Sequence, residues 1–144
     1  MTIALGHRLA TIADVAMLAQ MNQHLIEDER HRNPMTLAEL ETRMRSMLED
    51  DYTATIFELD NVVVAYGLWR TDPEWVYLRQ FFVARGFRRR GIGAQAIRVL
   101  LDHVWPVGKR VRVNVLIGNR PALEFWRAVG FADYLITLEM DRSC

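Results

Sequence analysis

The sequence predicts an α/β fold in which helices cover a mostly antiparallel sheet, and three observations carry that reading. Two capping-box patterns, Thr11-Ile12-Ala13-Asp14 and Thr36-Leu37-Ala38-Glu39, each open an amphipathic helical stretch. Residues 52–83 are dense in aromatic and β-branched residues, and the turn formers Asp60-Asn61 and Asp72-Pro73 interrupt them. Beyond them, helical and alternating apolar patterns take turns to the end of the chain.

Each element follows from its own pattern. Residues 3–9 form a short apolar run that reads as a strand. After the first capping box, Val15, Leu18, Ala19, Leu25 and Ile26 recur at helical spacing, and at 100° per residue Asn22 and Glu29 fall within that apolar stripe. A polar stretch to Pro34 separates this helix from a second, whose stripe is Leu37, Leu40, Met44, Met47 and Leu48. Residues 52–59, 62–70 and 75–83 are read as three strands of an antiparallel meander. Residues 91–105 read as a helix stopped before Pro106, since Ala96, Ile97, Leu100 and Val104 share a face. In residues 110–116, Val111, Val113 and Val115 alternate with Arg110, Arg112 and Asn114, the mark of a strand. A helix near Pro121 carries Ala122, Phe125, Trp126 and Val129 on one face and ends at Gly130. Residues 131–140 complete the pattern as a last strand. The predicted order is therefore β-α-α-β-β-β-α-β-α-β. No repeat, low-complexity tract or flexible linker divides it, so residues 1–144 are read as one domain.

Composition narrows the function. With 144 residues and 51% hydrophobic content the chain can bury a full core. Eighteen basic residues balance eighteen acidic ones, so no global field draws it to nucleic acid or to a membrane, and electrostatic recognition must be local. Lys109 is the only lysine, which leaves arginine, with its planar phosphate- and carboxylate-matching fork, as the basic residue of choice. Cys144 is the only cysteine, so an internal disulfide and a multi-cysteine metal site are excluded. His24 and His31 lie near acids but lack a metal-ligand motif, and no metal is expected. Trp69, Trp75 and Trp105 read as core or interface aromatics. The start, MTIALGHRLATIADV, has no long apolar core behind a basic head, and the expectation is a cytoplasmic protein.

The chemistry concentrates in one stretch. Phe81-Phe82-Val83 ends a buried strand and runs through Ala84-Arg85-Gly86-Phe87-Arg88-Arg89-Arg90 into a helix that starts Gly91-Ile92-Gly93-Ala94. A helix start offers unpaired N–H groups and the positive end of its dipole, which suits an anion. Gly91 and Gly93 remove side chains that would hold a phosphate off that backbone, and Arg88, Arg89 and Arg90 can add charge-assisted hydrogen bonds. Together these describe a pyrophosphate cradle. The dinucleotide fingerprint fails for want of its third spaced glycine, and no Gly-Lys-Ser/Thr supplies a nucleotide P-loop.

Here the sequence resembles the GNAT N-acetyltransferase superfamily. Arg88-Arg89-Arg90-Gly91-Ile92-Gly93 matches its Q/R-x-x-G-x-G/A coenzyme A motif, and Asn119, Ala122, Phe125, Gly130 and Phe131 match its N-x-x-A-x-x-F-Y-x-x-x-G-F signature. The resemblance implies transfer of an acetyl group from acetyl-CoA to a small-molecule or peptide amine by direct attack in a ternary complex. It assigns the pyrophosphate to Arg88, Arg89, Arg90, Gly91, Ile92, Gly93 and Ala94, and the pantetheine arm to free backbone of Phe81, Phe82 and Val83, with Asn119 touching the arm from the other side. A backbone N–H near Val83 would polarise the thioester carbonyl. A homodimer is also in keeping with the family.

Two departures shape the catalytic expectation. Trp126 stands where many family members have a tyrosine that protonates the leaving thiolate, and an indole N–H cannot serve as that acid. The strand Tyr77-Leu78-Arg79-Gln80 lacks the family's frequent glutamate. At a lysine-like pKa of about 10.4 fewer than about one amine in a thousand is uncharged at pH 7, so a base or a water relay matters. Glu29, on the apolar stripe, is the candidate base, with Asn22 and Glu27 as substrate-binding residues. The competing reading ends the helix near Glu27 and leaves residues 27–32 as a solvated loop. The missing tyrosine and glutamate also keep open a non-catalytic acyl-CoA-binding or sensor module.

Overall fold

The computed structural model describes residues 4–143. Cys144 and the start of the expected first strand, at Ile3, lie outside the described residues. The chain forms two compact units, Met1–Asn114 and Val115–Cys144.

The first unit is built on one sheet. Strand β1 spans Gly6–Leu9, and after a 3₁₀ turn at Ile12–Asp14 come helices α1 (Val15–Glu29) and α2 (Leu37–Glu49). Strands β2 (Thr53–Leu59), β3 (Val62–Thr71) and β4 (Trp75–Val83) follow, then helix α3 (Ile92–Val99) and strand β5 (Arg110–Val113). Strand order matches chain order, β1-β2-β3-β4-β5. The first three pairings are antiparallel and only β4–β5 is parallel. Both capping boxes form: Asp14 accepts from the Thr11 N–H at 2.8 Å, and Glu39 accepts from the Thr36 N–H at 2.9 Å. Between β2 and β3, Asp60 (φ 52°) and Asn61 (φ 64°) both take the left-handed conformation that a two-residue hairpin turn requires.

The apolar stripes meet as their spacing foretells. Val15, Leu18 and Met21 of α1 and Met44 of α2 pack on Tyr52, Ala54, Ile56, Tyr66, Leu68 and Phe82. Full burial of a side chain such as Leu18 is worth about 1.5–3 kcal/mol, and truncating it to Ala would cost about 2–5 kcal/mol.

Three expected elements of this unit come out differently. The strand expected over residues 3–9 spans only Gly6–Leu9, with Ala4 and Leu5 outside it. The helix predicted over residues 91–105 is α-helical only to Val99; Leu100–Val104 forms a π turn in which the Trp105 N–H donates to the Leu100 carbonyl at 2.8 Å. The strand predicted over 110–116 stops at Val113.

The second unit is described by itself. Asn119 caps helix α4 (Arg120–Ala128) by accepting from the Ala122 N–H at 3.3 Å, and Gly130 (φ 113°) follows its end. Trp126 is buried, edge-on to Phe125 and Phe131 at centroid distances of 5.0 and 5.1 Å. The last strand expected over residues 131–140 does not form among the described residues. Its alternation is present in the sequence, but alternation specifies only which side chains share a face and does not by itself specify a ladder. Tyr134, Ile136, Leu138 and Met140 stay exposed.

Candidate active site

Strand β4 changes character halfway along. Residues 75–78 pair with Arg110, Val111, Arg112 and Val113 of β5 on one side, and residues 76–78 pair with β3 on the other. Beyond Leu78 no β5 partner remains among the described residues. At the same point β4 carries a bulge: Leu68 lies opposite Gln80 and Trp69 opposite Leu78, so Arg79 is the extra residue. The Ala84 N–H donates to the Val64 carbonyl at 2.8 Å, which directs the main chain of Ala84 and Phe82 toward β3. By the period of two, Val83 directs its own to the opposite side, where β5 has already ended. The Val83 N–H thereby faces the gap.

The turn after β4 sets up the start of α3. Arg89 (φ 64°) and Gly91 (φ 74°) both adopt the left-handed conformation, which turns the chain sharply into the helix. Gly91 is the N-cap, no side chain caps the helix, and the first intrahelical bond runs from the Gln95 N–H to the Gly91 carbonyl at 3.1 Å. The N–H groups of Ile92, Gly93 and Ala94 are thus the unclaimed donors of the first turn. Arg89 and Arg90 are exposed beside it. Arg88 is engaged elsewhere: its Nε donates to the Val83 carbonyl at 2.9 Å, its Nη2 to Asp28 at 2.6 Å, and its guanidinium lies 5.1 Å from the Phe82 ring centroid.

Helix α1 delivers two kinds of acid to this end of the sheet. Its outer face carries Glu27 and Asp28, which pair with Arg85 at 3.1 and 2.9 Å, so that together with Arg88 they tie α1 to the turn. Burial opposes ionisation of Asp28, but the bonds from Arg88 and Arg85 prevail and hold its carboxyl below the usual range. Glu29, on the other side, is half-buried, and burial with the neighbouring Asp28 charge raises its carboxyl above the usual range. The helix runs through Glu29 and closes with Arg30 in the left-handed conformation, so residues 27–29 are helical and the solvated-loop reading of them is set aside. Deeper along the helix, buried Asn22 accepts from Arg43 Nη2 of α2 at 2.9 Å, and the Tyr66 hydroxyl donates to Gln80 at 2.9 Å. Burial pushes the Tyr66 phenol far above its ordinary range, so it is a fixed donor.

The fold that carries this strand and helix has counterparts among known proteins. The family described as "Acetyltransferase (GNAT) family" matches residues 18–131. The chain belongs to the GNAT acetyltransferase family. Solved structures agree on the fold. The aminoglycoside N-acetyltransferase AAC(6')-Iy, solved in complex with CoA, superposes with a TM-score of 0.76 at 15% identity, covering 100% of this chain and 98% of that one. An acetyltransferase from Thermus thermophilus has a TM-score of 0.76 at 20% identity over 90% of this chain and 88% of that one. A ribosomal-protein-alanine N-acetyltransferase from Brucella melitensis biovar Abortus 2308 gives 0.73 at 15% identity over 96% and 99%. No curated protein sequence matches the chain.

Within this GNAT fold the residues singled out from sequence fall into two groups. Val83 ends β4, Gly91 is the N-cap of α3, and Ile92, Gly93 and Ala94 form its first turn, with Arg89 and Arg90 in the turn before it. Phe82 belongs to the core, and Asn119 is the cap of α4. Glu27 does not join Glu29, because adjacent odd positions on a helix point about 200° apart and Glu27 turns to Arg85. Asn22 is only 2% exposed and holds Arg43, so it supports a neighbouring side chain from beneath.

Sequence reading missed Arg85, Arg43, Arg79 and the Tyr66–Gln80 pair. Arg43 had a legible signal: it lies three residues after Leu40 and one before Met44, on the edge of the apolar stripe of α2. Arg79 had none, because a bulge depends on how two strands align.

Proposed function

We propose that this GNAT protein transfers an acetyl group from acetyl-CoA to a primary amine by direct attack in a ternary complex. The single observation that carries the reading is β4, which abandons β5 after Leu78 and leads into the uncapped, glycine-led start of α3. The coenzyme pyrophosphate would accept from the N–H groups of Ile92, Gly93 and Ala94, with charge from Arg89 and Arg90. The pantetheine arm would lie along the end of β4 beside Val83, whose N–H would stabilise the oxyanion formed when the amine attacks the thioester. The solved complexes of AAC(6')-Iy with CoA and with a bisubstrate analogue joining CoA to an acetylated aminoglycoside support this chemistry for a protein of the same fold. The family match spans both compact units, which supports one acetyltransferase domain.

Glu29 serves as the base or orients the cationic amine. Its half-buried carboxyl, raised toward neutrality and free of a basic partner among the described residues, has the character proton transfer requires. The thiolate leaves with little help, since a thiol of cysteine-like pKa about 8.5 is a good leaving group. Trp126 provides no acid, which is the observation that favours a binding module as the second reading. Thiol release with acetyl-CoA and a panel of polyamines, amino acids, aminoglycosides and peptide amines separates the two. Turnover of any amine upholds the enzyme, whereas tight coenzyme binding with no thiol release across the panel selects the binding module.

A further inference from the structure

Two arginines above the sheet have no acid to answer them among the described residues. Arg79 is the bulge residue of β4, and the bulge aims it at Tyr52, whose hydroxyl accepts from Arg79 Nη1 at 3.3 Å and from Arg70 Nη1 at 2.9 Å. The Arg70 and Arg79 guanidiniums lie 5.4 and 5.6 Å from the Tyr52 ring centroid. Arg70 is neutralised by Asp72 at 3.0 Å. Neither Arg79 nor Arg43 has an acidic partner within ion-pair distance among the described residues. Arg43 is half-buried, held by Asn22, and its Nε is fully buried with no hydrogen-bond partner. Burial and the like charge of Arg79 both disfavour its cationic form, which places the two guanidiniums in each other's field.

A half-buried guanidinium with an unmet donor, set near a second uncompensated one, is an arrangement that an anion would relieve. A carboxylate matches a guanidinium fork best, through two parallel hydrogen bonds. The strand position is telling as well: Arg79 is exposed on β4 four residues before Val83 and close enough to Arg43 of α2 to act on its charge, and the buried Tyr66 hydroxyl, bonded to Gln80, feels both Arg43 and Glu29. We propose that Arg43 and Arg79 bind a carboxylate carried by the acceptor, so that the substrate class is an amino acid or carboxylate-bearing amine and not a polycation. This rests on the acetyltransferase reading above. Arg43 and Arg79 would hold the anionic end while the amine reaches toward Glu29 and the thioester, and Tyr52 and Asn22 act as positioning residues for the two guanidiniums.

The test compares amines that differ only in that charge. Glycine, β-alanine, γ-aminobutyrate and ε-aminocaproate, each beside its own carboxamide, sample a range of distances between amine and carboxylate; 2-aminoethylphosphonate tests whether another anion substitutes. The proposal expects at least one amino acid to exceed its carboxamide by about ten- to hundred-fold in kcat/KM. Arg43→Gln and Arg79→Gln should each remove that preference chiefly through KM, with acetyl-CoA affinity unchanged, and Arg79→Lys should restore part of it. Thermal unfolding of each variant establishes that it folds. Equal use of acid and carboxamide, preference for the carboxamide, or a preference that survives both substitutions overturns the carboxylate site while leaving the acetyltransferase intact. An independent readout needs no turnover: the N-acetylated amino acids, added with CoA, should saturably shift the Arg43 and Arg79 side-chain Nε–H resonances more strongly than the N-acetylated carboxamides. Absence of that difference also overturns the proposal, and absence of thiol release with the shift present overturns only the catalytic reading.

Discussion

Asp28 and Glu29 are adjacent on α1 and meet opposite surroundings. The outer face of the helix end, Glu27 and Asp28, is answered by Arg85 and Arg88 in a partly solvated network. The inner face, Glu29 with Asn22, is half-buried to buried beside Tyr66, Gln80 and Arg43. Outside, charges of both signs cancel and the gain is positional: α1 is tied to the turn that opens α3. Inside, water is scarcer, and among the described residues an acid, Glu29, is left without a base and a half-buried arginine, Arg43, without an acid, while exposed Arg79 stands at the edge of that face. Such residual electrostatic tension is what binding and proton transfer use.

The comparison is broken most directly at Glu29. Glu29→Gln keeps the shape and removes the charge, and steady-state kinetics on an identified amine should show a loss of about 10²–10⁴ in kcat. The same variant should keep its coenzyme affinity. An unchanged rate and pH profile would move Glu29 to the structural side of the comparison.

A second prediction separates the arginines by what they already hold. The double substitution Arg89→Ala with Arg90→Ala should weaken acetyl-CoA binding by about 1.5–3 kcal/mol in calorimetry, because charge-assisted bonds to phosphate are lost. Arg88→Ala should weaken it less, since that guanidinium is committed to Asp28 and to the Val83 carbonyl. If Arg88→Ala has the larger effect, Arg88 must release Asp28 when coenzyme binds, and the outer network is then a switch and not a tie.

Next comes the turn itself. Gly91 has φ 74°, so Gly91→Ala forces a side chain into the left-handed region at a cost of about 1–2 kcal/mol, although no atom lies within 4 Å of the added carbon. Chemical denaturation should register that loss, and bound acetyl-CoA should offset it less than in the wild type, because the new methyl group would stand in the proposed pyrophosphate site.

The smallest effect sharpens the comparison through pH. Asp28 titrates below its ordinary value in the fold, so its contribution to stability is present above the unfolded pKa of about 3.9 and fades as pH falls through the lower folded value. Glu29 titrates above its ordinary value, so the fold loses stability as pH rises from the unfolded pKa of about 4.3 through the raised one. Melting temperatures at pH 7 should therefore fall for Asp28→Asn, by the equivalent of less than about 1 kcal/mol because solvent screens its pairs, and rise for Glu29→Gln. In strong acid both should converge on the wild type. Shifts of the same sign at pH 7 would erase the distinction between the two faces.

Much of this protein was legible in its residues alone, and the reason is locality. Capping boxes, apolar stripes, the Asp60-Asn61 turn and the strand-turn-glycine stretch from Phe81 to Ala94 each satisfy their main-chain groups or bury their apolar face within a few residues, so spacing suffices to place them. The family motif was readable on the same ground, since a helix start binds an anion with its own backbone. What needed tertiary structure depends on contacts between distant residues. The departure of β4 from β5 and the bulge at Arg79 are properties of strand alignment. The last strand, expected over residues 131–140, had its alternation and does not form among the described residues. The assignment of Arg88 to Asp28, sixty positions away, and of Arg43 to Asn22, twenty-one away, rests on how α1 meets α2 and β4. Sequence determines which groups carry charge; only the packed fold decides which of those charges are already answered and which are left for a substrate.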